Sequence, residues 1–345
     1  MNQCTYLLPI RRSNFSADES FELARYFQLL GRADCEVLIV DGSPPEIFEQ
    51  HRGIWSALAR HEKVDRRFGY LNDKVNGIHT GVELAGHEKI ILADDDIRYT
   101  PANIAEIAGL LESFEVVRPQ NYLSPLPSWA RMEAARMLIN RATLCAADYP
   151  GTCAFRRETI LRVGHYDGDV LFDNEEIVRH FARAGATISY ANDLFIEKRA
   201  PTLRKWREQR PRQAYEDFAL RTKTAVFAAL LPAVITCTLL GGRTGALLSI
   251  CGFMAVAWLL ALRGWLRGGA RKFFPPLVIL WAPLWVAERS ISTFWAFYWF
   301  FRHGGYPFGE QLLSKGVGRD WFVGGRMAAN KERGRSKKRP AHLLS

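Results

Sequence analysis

Three aspartates in a row, Asp94, Asp95 and Asp96, close the apolar run Lys-Ile-Ile-Leu-Ala, with Pro101 a few residues on. Adjacent carboxylates repel one another unless a cation neutralises them, so a plain solvent-facing turn is a poor account of the triplet. Hard oxygen ligands suit Mg2+ or Mn2+, and the pair expected to hold such an ion is Asp94 and Asp96. A second acidic cluster, Asp173, Glu175 and Glu176, opens a helical stretch. The helix dipole explains part of that acidity, but a carboxylate placed there can also take a proton from a hydroxyl. Asp41 closes another apolar run, Cys-Glu-Val-Leu-Ile-Val. In open α/β sheets ligands bind beyond the carboxyl ends of strands, so Asp41 and the triplet are expected to face one crevice.

The elements that must position these groups alternate. Residues 4 to 10 read as a strand, and Phe21, Ala24, Phe27 and Leu30 then recur at helical spacing before Gly31. A buried-type strand leads to Asp41, where Asp-Gly-Ser-Pro-Pro ends it. A less regular helix follows over about 46 to 60, and Val64 to Asn72 is expected to hold a strand. A helix weakened by Gly77 and Gly81 precedes the acidic strand, and a helix and a strand come after it, to about residue 123. Further helices are expected over 128 to 145 and from Asp173 to Gly185, with a short one between them after the loop or strand at Gly151. Strands alternating with helices in this way indicate an α/β fold.

The chemistry this arrangement suits is the transfer of a sugar from a nucleoside diphosphate sugar. The diphosphate must leave as an anion, a carboxylate-held divalent ion neutralises the growing charge, and a base on the opposite side accepts the acceptor's proton. Over residues 4 to 220 the chain resembles the family 2 glycosyltransferases. The resemblance implies a GT-A (Rossmann-like) nucleotide-sugar-binding domain, with inversion at the sugar carbon. Leu-Ile-Val-Asp-Gly-Ser resembles the second strand of that family, which implies that Asp41 contacts the nucleobase. The stretch from Lys74 to Pro101 resembles its donor-binding region, with the Asp-x-Asp metal motif on Asp94, Asp95 and Asp96. Phe-Asp-Asn-Glu-Glu resembles the region of the catalytic base. The family's Glu-Asp pair falls either on Asp173 and Asn174 or on Glu175 and Glu176, which leaves the base open among Asp173, Glu175 and Glu176. Gln209 and Arg212 fit a Gln-x-x-Arg-Trp motif of membrane synthases, with Gln213 in place of the tryptophan. Pro9, Arg11, Asp41, Lys74, Asn76, Asp94, Asp95, Gln209 and Arg212 are therefore the residues expected on the donor.

Residues 225 to 301 are mostly apolar, and seven of the ten tryptophans lie between 258 and 321. Two segments, 225 to 240 and 245 to 262, carry no internal charge and read as membrane spans, with a third over 273 to 301 either spanning or re-entrant. The expected domains are a catalytic part over 1 to 220, transmembrane helices over 221 to 305 and a basic polar tail over 306 to 345. No signal peptide is read at the start, and none of the six cysteines forms a CxxC pair. Both place the catalytic part on the cytoplasmic face of an inner, multi-pass membrane protein. A net charge of +10 is assigned to anionic lipid and phosphorylated ligands. No interleaved basic and aromatic stretch supports nucleic acid as a partner. The basic residues Arg199, Arg204, Lys205, Arg207, Arg210 and Arg212, with Trp206, read as an interfacial platform. The expected acceptor is a lipid, a polyprenyl phosphate or a glycan, and self-association into a homo-oligomer is left open. A processive polysaccharide synthase and a non-catalytic membrane scaffold are the alternatives. The missing tryptophan and the few spans weigh against the first, and the aspartate triplet against the second.

Overall fold

Strand β1 (Cys4–Ile10) is buried at all seven positions, as an unbroken apolar run requires of a strand covered on both faces. Its computed structural model describes the chain over residues 3–318, apart from 145, 149, 309 and 310. Helix α1 (Ala17–Gly31) is capped by Ser16 and leads to β2 (Cys35–Asp41), parallel to β1. Helix α2 (Pro45–Trp55) then leads to β3 (Arg60–Lys63), parallel to β2. The strand expected at 64 to 72 therefore lies just upstream of it, and those residues form a turn and loop into α3 (Asp73–Leu84). Strand β4 (Lys89–Leu92) runs parallel to β1 on its other side. Next come β5 (Ile97–Arg98), α4 (Pro101–Leu110), β6 (Val116–Val117), β7 (Gln120–Leu123) and α5 (Arg131–Thr143). Then β8 (Cys153–Arg156), α6 (Arg157–Val163), α7 (Asp173–Arg183), β9 (Ile188–Ser189) and β10 (Phe195–Lys198) follow. The main sheet has the order β3-β2-β1-β4-β8-β6-β9, and a small one the order β5-β10-β7.

Alternation along β1 divides the core. Tyr6, Leu8 and Ile10 pack with Leu23 and Phe27 of α1, and Leu7 with Val75 and Ile78 of α3 and Phe181 of α7. The glycines that weaken α3 as a helix are what bring it close. A Cβ at Gly77 would lie 2.8 Å from Pro9 Cβ, and one at Gly81 would collide with the Leu7 side chain. Small residues at both points let α3 settle on β1 with its first turn beside the ends of β1 and β4.

The remaining helices are α8 (Leu203–Glu216), α9 (Arg221–Leu266) and α10 (Ala282–His303). Among the described residues, α9 is the one helix long and apolar enough to cross a membrane. It is broken at Gly242, whose φ of 54° a residue with a side chain rarely adopts. A side chain at Gly245 would collide with the Cys237 carbonyl. In a straight helix those residues stand about 12 Å apart, so α9 folds back on itself as a hairpin with Arg243 in the turn. Its roots are packed: Phe227, Ala257 and Ala261 join Met132, Leu138 and Trp285 in one cluster. Its outer part is bare, with Leu239, Leu240, Leu247 and Leu248 all largely exposed.

The described residues thus give one apolar helical element within 221 to 305, its two arms falling on the expected segments 225 to 240 and 245 to 262. The segment 273 to 301 holds no helix long and apolar enough to cross a membrane. Its helix α10 packs on α8 and α9 and turns Arg289, Ser290, Ser292 and Thr293 inward, while Ile291, Trp295, Tyr298 and Phe301 stay outside. Arg289 is held by Asp217 at 3.2 Å. The start of the expected tail is also ordered. Strands β11 (Tyr306–Phe308) and β12 (Gln311–Leu313) form a hairpin, and Leu171 N and Phe172 N then donate to the carbonyls of Lys315 and Gly316 at 3.0 Å each. The rest of the tail lies outside the described residues.

Candidate active site

A cleft of about 950 Å3 runs from the ends of β1 and β4 to the roots of α9 and α10. Pro9, Arg11, Arg12, Lys74, the aspartate triplet, Gly151, Asp173, Asn174 and Lys198 line its first half. The second half is lined by Glu133, Arg136, Asp148, Gln209, Arg212, Gln213, Glu216, Asp217, Lys223 and Arg289. Elements far apart in sequence thus meet: β4 delivers the triplet, the first turn of α7 delivers Asp173, and α8 and α10 close the far end.

Each aspartate of the triplet faces its own cation. Lys74 Nζ lies 2.5 Å from Asp94 Oδ1, Arg12 pairs with Asp95, and Lys198 Nζ lies 3.3 Å from Asp96 Oδ2. Burial pushes the Asp94 carboxyl up, but Lys74 and Lys198 outweigh it and hold the group below its ordinary range. Asp96 goes the other way. Burial raises it, Lys198 offsets only part, and the neighbouring Asp94 and Asp95 add to the rise. Asp96 Oδ1 is buried without a hydrogen-bond partner. That orphaned oxygen and the adjacent Asp94 carboxylate are hard donors suited to Mg2+ or Mn2+. Among the described residues no three His, Cys, Asp or Glu side chains converge. Two carboxylates are nonetheless what a Mg2+ ion shared with substrate phosphates uses. Gly151 leaves room here, because a Cβ on it would lie 2.8 Å from Asp94 Oδ2.

Of the three acidic residues at the start of α7, Asp173 alone lines the cleft. Glu175 is buried between Arg118 at 2.8 Å and Arg179 at 2.9 Å. Glu176 pairs with Arg183 and accepts from Gly318 N at 2.8 Å. Both carboxylates are consumed away from the cleft, which corrects their standing as candidate bases. Asn174 faces the cleft as well, accepting from Lys74 at 2.8 Å.

The donor residues also separate. Pro9, Arg11, Lys74, Asp94, Asp95, Gln209 and Arg212 line the cleft. Asp41 does not. Its Oδ1 accepts from Ser43 N at 2.8 Å, and its Oδ2 from His51 at 2.7 Å and His61 at 3.1 Å. The carboxylate is fully buried and outside the cleft lining, so the expected contact is corrected to a buried clamp between β2, α2 and β3. Asn76 reaches the cleft wall, but its amide bonds Tyr70 N at 2.9 Å and Tyr70 O at 3.0 Å. From the cleft wall it shapes the 68–72 loop.

The basic platform divides too. Arg204 and Arg207 remain exposed, as does Lys205, which reaches the cleft edge. Arg199 pairs with Glu22 at 3.1 Å, and Arg210 is buried against Glu133. Gln213 stands where membrane synthases have a tryptophan. Its Oε1 accepts from Arg210 and, at 3.2 Å, from Arg289.

Sequence reasoning named no site role for Arg12, Lys198, Glu216, Asp217 and Arg289, which line the cleft. For Arg289 a signal existed. Arg289, Thr293 and Ala296 share one helical face, and Ile291, Trp295 and Tyr298 another, so the polar stripe points inward from an apolar segment. No comparable pattern marked Lys198 or Glu216.

No family model matches the chain, and no curated protein does. Among solved structures, a mannosyltransferase from Pyrobaculum calidifontis in complex with GDP-Man and Mn2+ is similar. The likeness covers 85% of this chain and 87% of that one, at 18% identity and a TM-score of 0.48. Glucosyl-3-phosphoglycerate synthase from Mycobacterium tuberculosis, in complex with Mn2+, uridine diphosphate and glucosyl-3-phosphoglycerate, is similar over 59% of this chain and 74% of its own. Identity there is 16% and the TM-score 0.38. Both scores lie under one half, and the chemistry of the cleft stands on its own residues.

Proposed function

We propose that this chain is a metal-dependent glycosyltransferase of the GT-A type. It moves a sugar from a nucleoside diphosphate sugar to an acceptor held at a membrane. The observation that carries the reading is that Asp94 and Asp96 share one cleft with Asp173, with Lys74 contacting Asp94 and Asp173 at once. Asp94 and Asp96 would hold Mg2+ or Mn2+, and the ion would supply positive charge to the leaving diphosphate. Arg11, Arg12 and Lys198 line the same end and meet the phosphate oxygens by charge-assisted bonds.

Asp173 accepts the proton of the acceptor hydroxyl. The oxygen forms its bond to the anomeric carbon as the bond from that carbon to the diphosphate oxygen breaks. The bonding pair leaves with the diphosphate, and one displacement inverts the configuration. The acceptor enters from the far half of the cleft, where Lys223 belongs both to the cleft lining and to the first turn of α9. The bare apolar hairpin of α9 is read as the membrane anchor, and the catalytic part as roughly the first 220 residues together with α10 and the β11–β12 hairpin.

The test is donor consumption by the purified full-length protein across several nucleotide sugars, with and without chelator and lipid extract. Turnover with at least one donor, lost in chelator and in Asp94→Asn or Asp96→Asn, is the expected result. Undiminished turnover in chelator, or in both variants, would sink the reading.

A further inference from the structure

Lys74 occupies an unusual position for a donor-binding cation. Its ammonium lies 2.5 Å from Asp94 Oδ1, 2.8 Å from Asp173 Oδ2 and 2.8 Å from Asn174 Oδ1. An ammonium has three protons to donate; Asn174 Oδ1 accepts one, and the carboxylates of Asp94 and Asp173 stand within ion-pair reach. The group is well placed to stay there. Asn72 caps α3, accepting from Lys74 N at 3.2 Å, and Gly77 presses that helix onto Pro9. The result is a cation lodged between the carboxylate assigned to the metal and the carboxylate assigned to the base. Asp96, the other assigned ligand, keeps its Oδ1 unpartnered.

Resting on the function proposed above, we infer that Lys74 is a resident counter-ion that holds Asp94 until the donor diphosphate arrives. A divalent ion alone has to displace an ion-paired ammonium and leave it close beside a dication, which is unfavourable. The diphosphate changes the balance, because its oxygens offer Lys74 another anionic partner a short swing away. The ammonium leaves Asp94 for the diphosphate, Asp94 joins Asp96 on the ion, and Asp173 loses a competing ion pair at the moment the acceptor hydroxyl needs it. Lys74 is thus a positioning residue. It makes ion binding conditional on the donor and keeps the two carboxylates from repelling each other in the empty site.

The test is Mn2+ binding by the full-length protein, followed from the electron paramagnetic resonance signal of free Mn2+. It is run with and without UDP or GDP, and corrected for Mn2+ held by the nucleotide alone. Wild type is expected to bind Mn2+ weakly by itself and about tenfold or more tighter with a nucleoside diphosphate. Lys74→Met is expected to bind Mn2+ without nucleotide about tenfold tighter than wild type and to lose most of the nucleotide dependence. Lys74→Arg, which keeps the charge, is expected to retain it. Wild type binding Mn2+ equally well with and without nucleotide overturns the inference and needs no variant. So does a Lys74→Met protein no tighter than wild type. If Asp96→Asn then still abolishes Mn2+ binding, the metal site survives and only the role of Lys74 falls. Absence of Asp94- and Asp96-dependent Mn2+ binding under every condition overturns the proposed function as well.

Discussion

At the scale of single residues, three acidic candidates in one helical turn have different fates: about 100° per residue sets Glu175 on the face opposite Asp173, and Glu176 is taken up by Arg183 and Gly318 N. Asp173 points to the cleft, while Glu175 and Glu176 are buried in ion pairs. Asp173→Asn should lower turnover by about 10² or more, the scale of a lost general base, with donor binding kept. Glu175→Gln should instead destabilise the fold by roughly 3 kcal/mol, since it leaves Arg118 with a weakened partner, and should leave turnover per folded molecule nearly unchanged. Kinetics and chemical denaturation of the two variants separate these outcomes.

His79 permits a pH test. Burial, and after it the nearby His165 and His180, pull its pKa down to about 3. In the unfolded chain the ring binds a proton near 6.5. The stabilising contribution of the neutral ring is therefore complete above about pH 6.5 and is lost progressively as pH falls towards 3, on the order of 4 kcal/mol in all. Between pH 7 and 5 the melting temperature should fall in wild type and fall less in His79→Phe. The triplet was legible at this scale, since its repulsion shows in the sequence. The clamp on Asp41 was not, because its partners stand ten and twenty residues away and only the fold brings them in.

At the scale of elements, most of the alternation was readable because strands buried on both faces are plainly apolar and α1 and α7 carry a clear stripe. Over α10 the apolar content alone hides a polar stripe, from which Arg289 reaches the cleft wall. The segment from Ser314 to Gly318 carried no signal at all. It braces the approach to Asp173, pairing with Leu171 and Phe172 and placing Gly318 N on Glu176. Ending the chain after Gly305 should therefore abolish transfer, although none of the residues removed is assigned to the chemistry. A truncated protein that turns over donor normally would show the brace to be dispensable.

At the scale of the molecule, packing crosses the boundary expected near residue 220. The core under the far half of the cleft joins α5 to the roots of α9 and to Trp285 of α10. A chain ended at Arg221 should aggregate, whereas replacing 232 to 255 with a short Gly-Ser turn keeps the packed roots and should stay soluble and bind nucleotide sugar. Binding by the first and not the second, measured by calorimetry, would restore the simpler boundary. Lys223 adds a further consequence of the proposed function, because one residue belongs both to the root of the proposed anchor and to the cleft wall. On that proposal an acceptor resident in the bilayer would meet the catalyst by sliding in two dimensions, and only the donor would arrive through the bulk. The rate then follows the acceptor's mole fraction among lipids: diluting it with inert lipid at constant total acceptor should slow transfer in proportion.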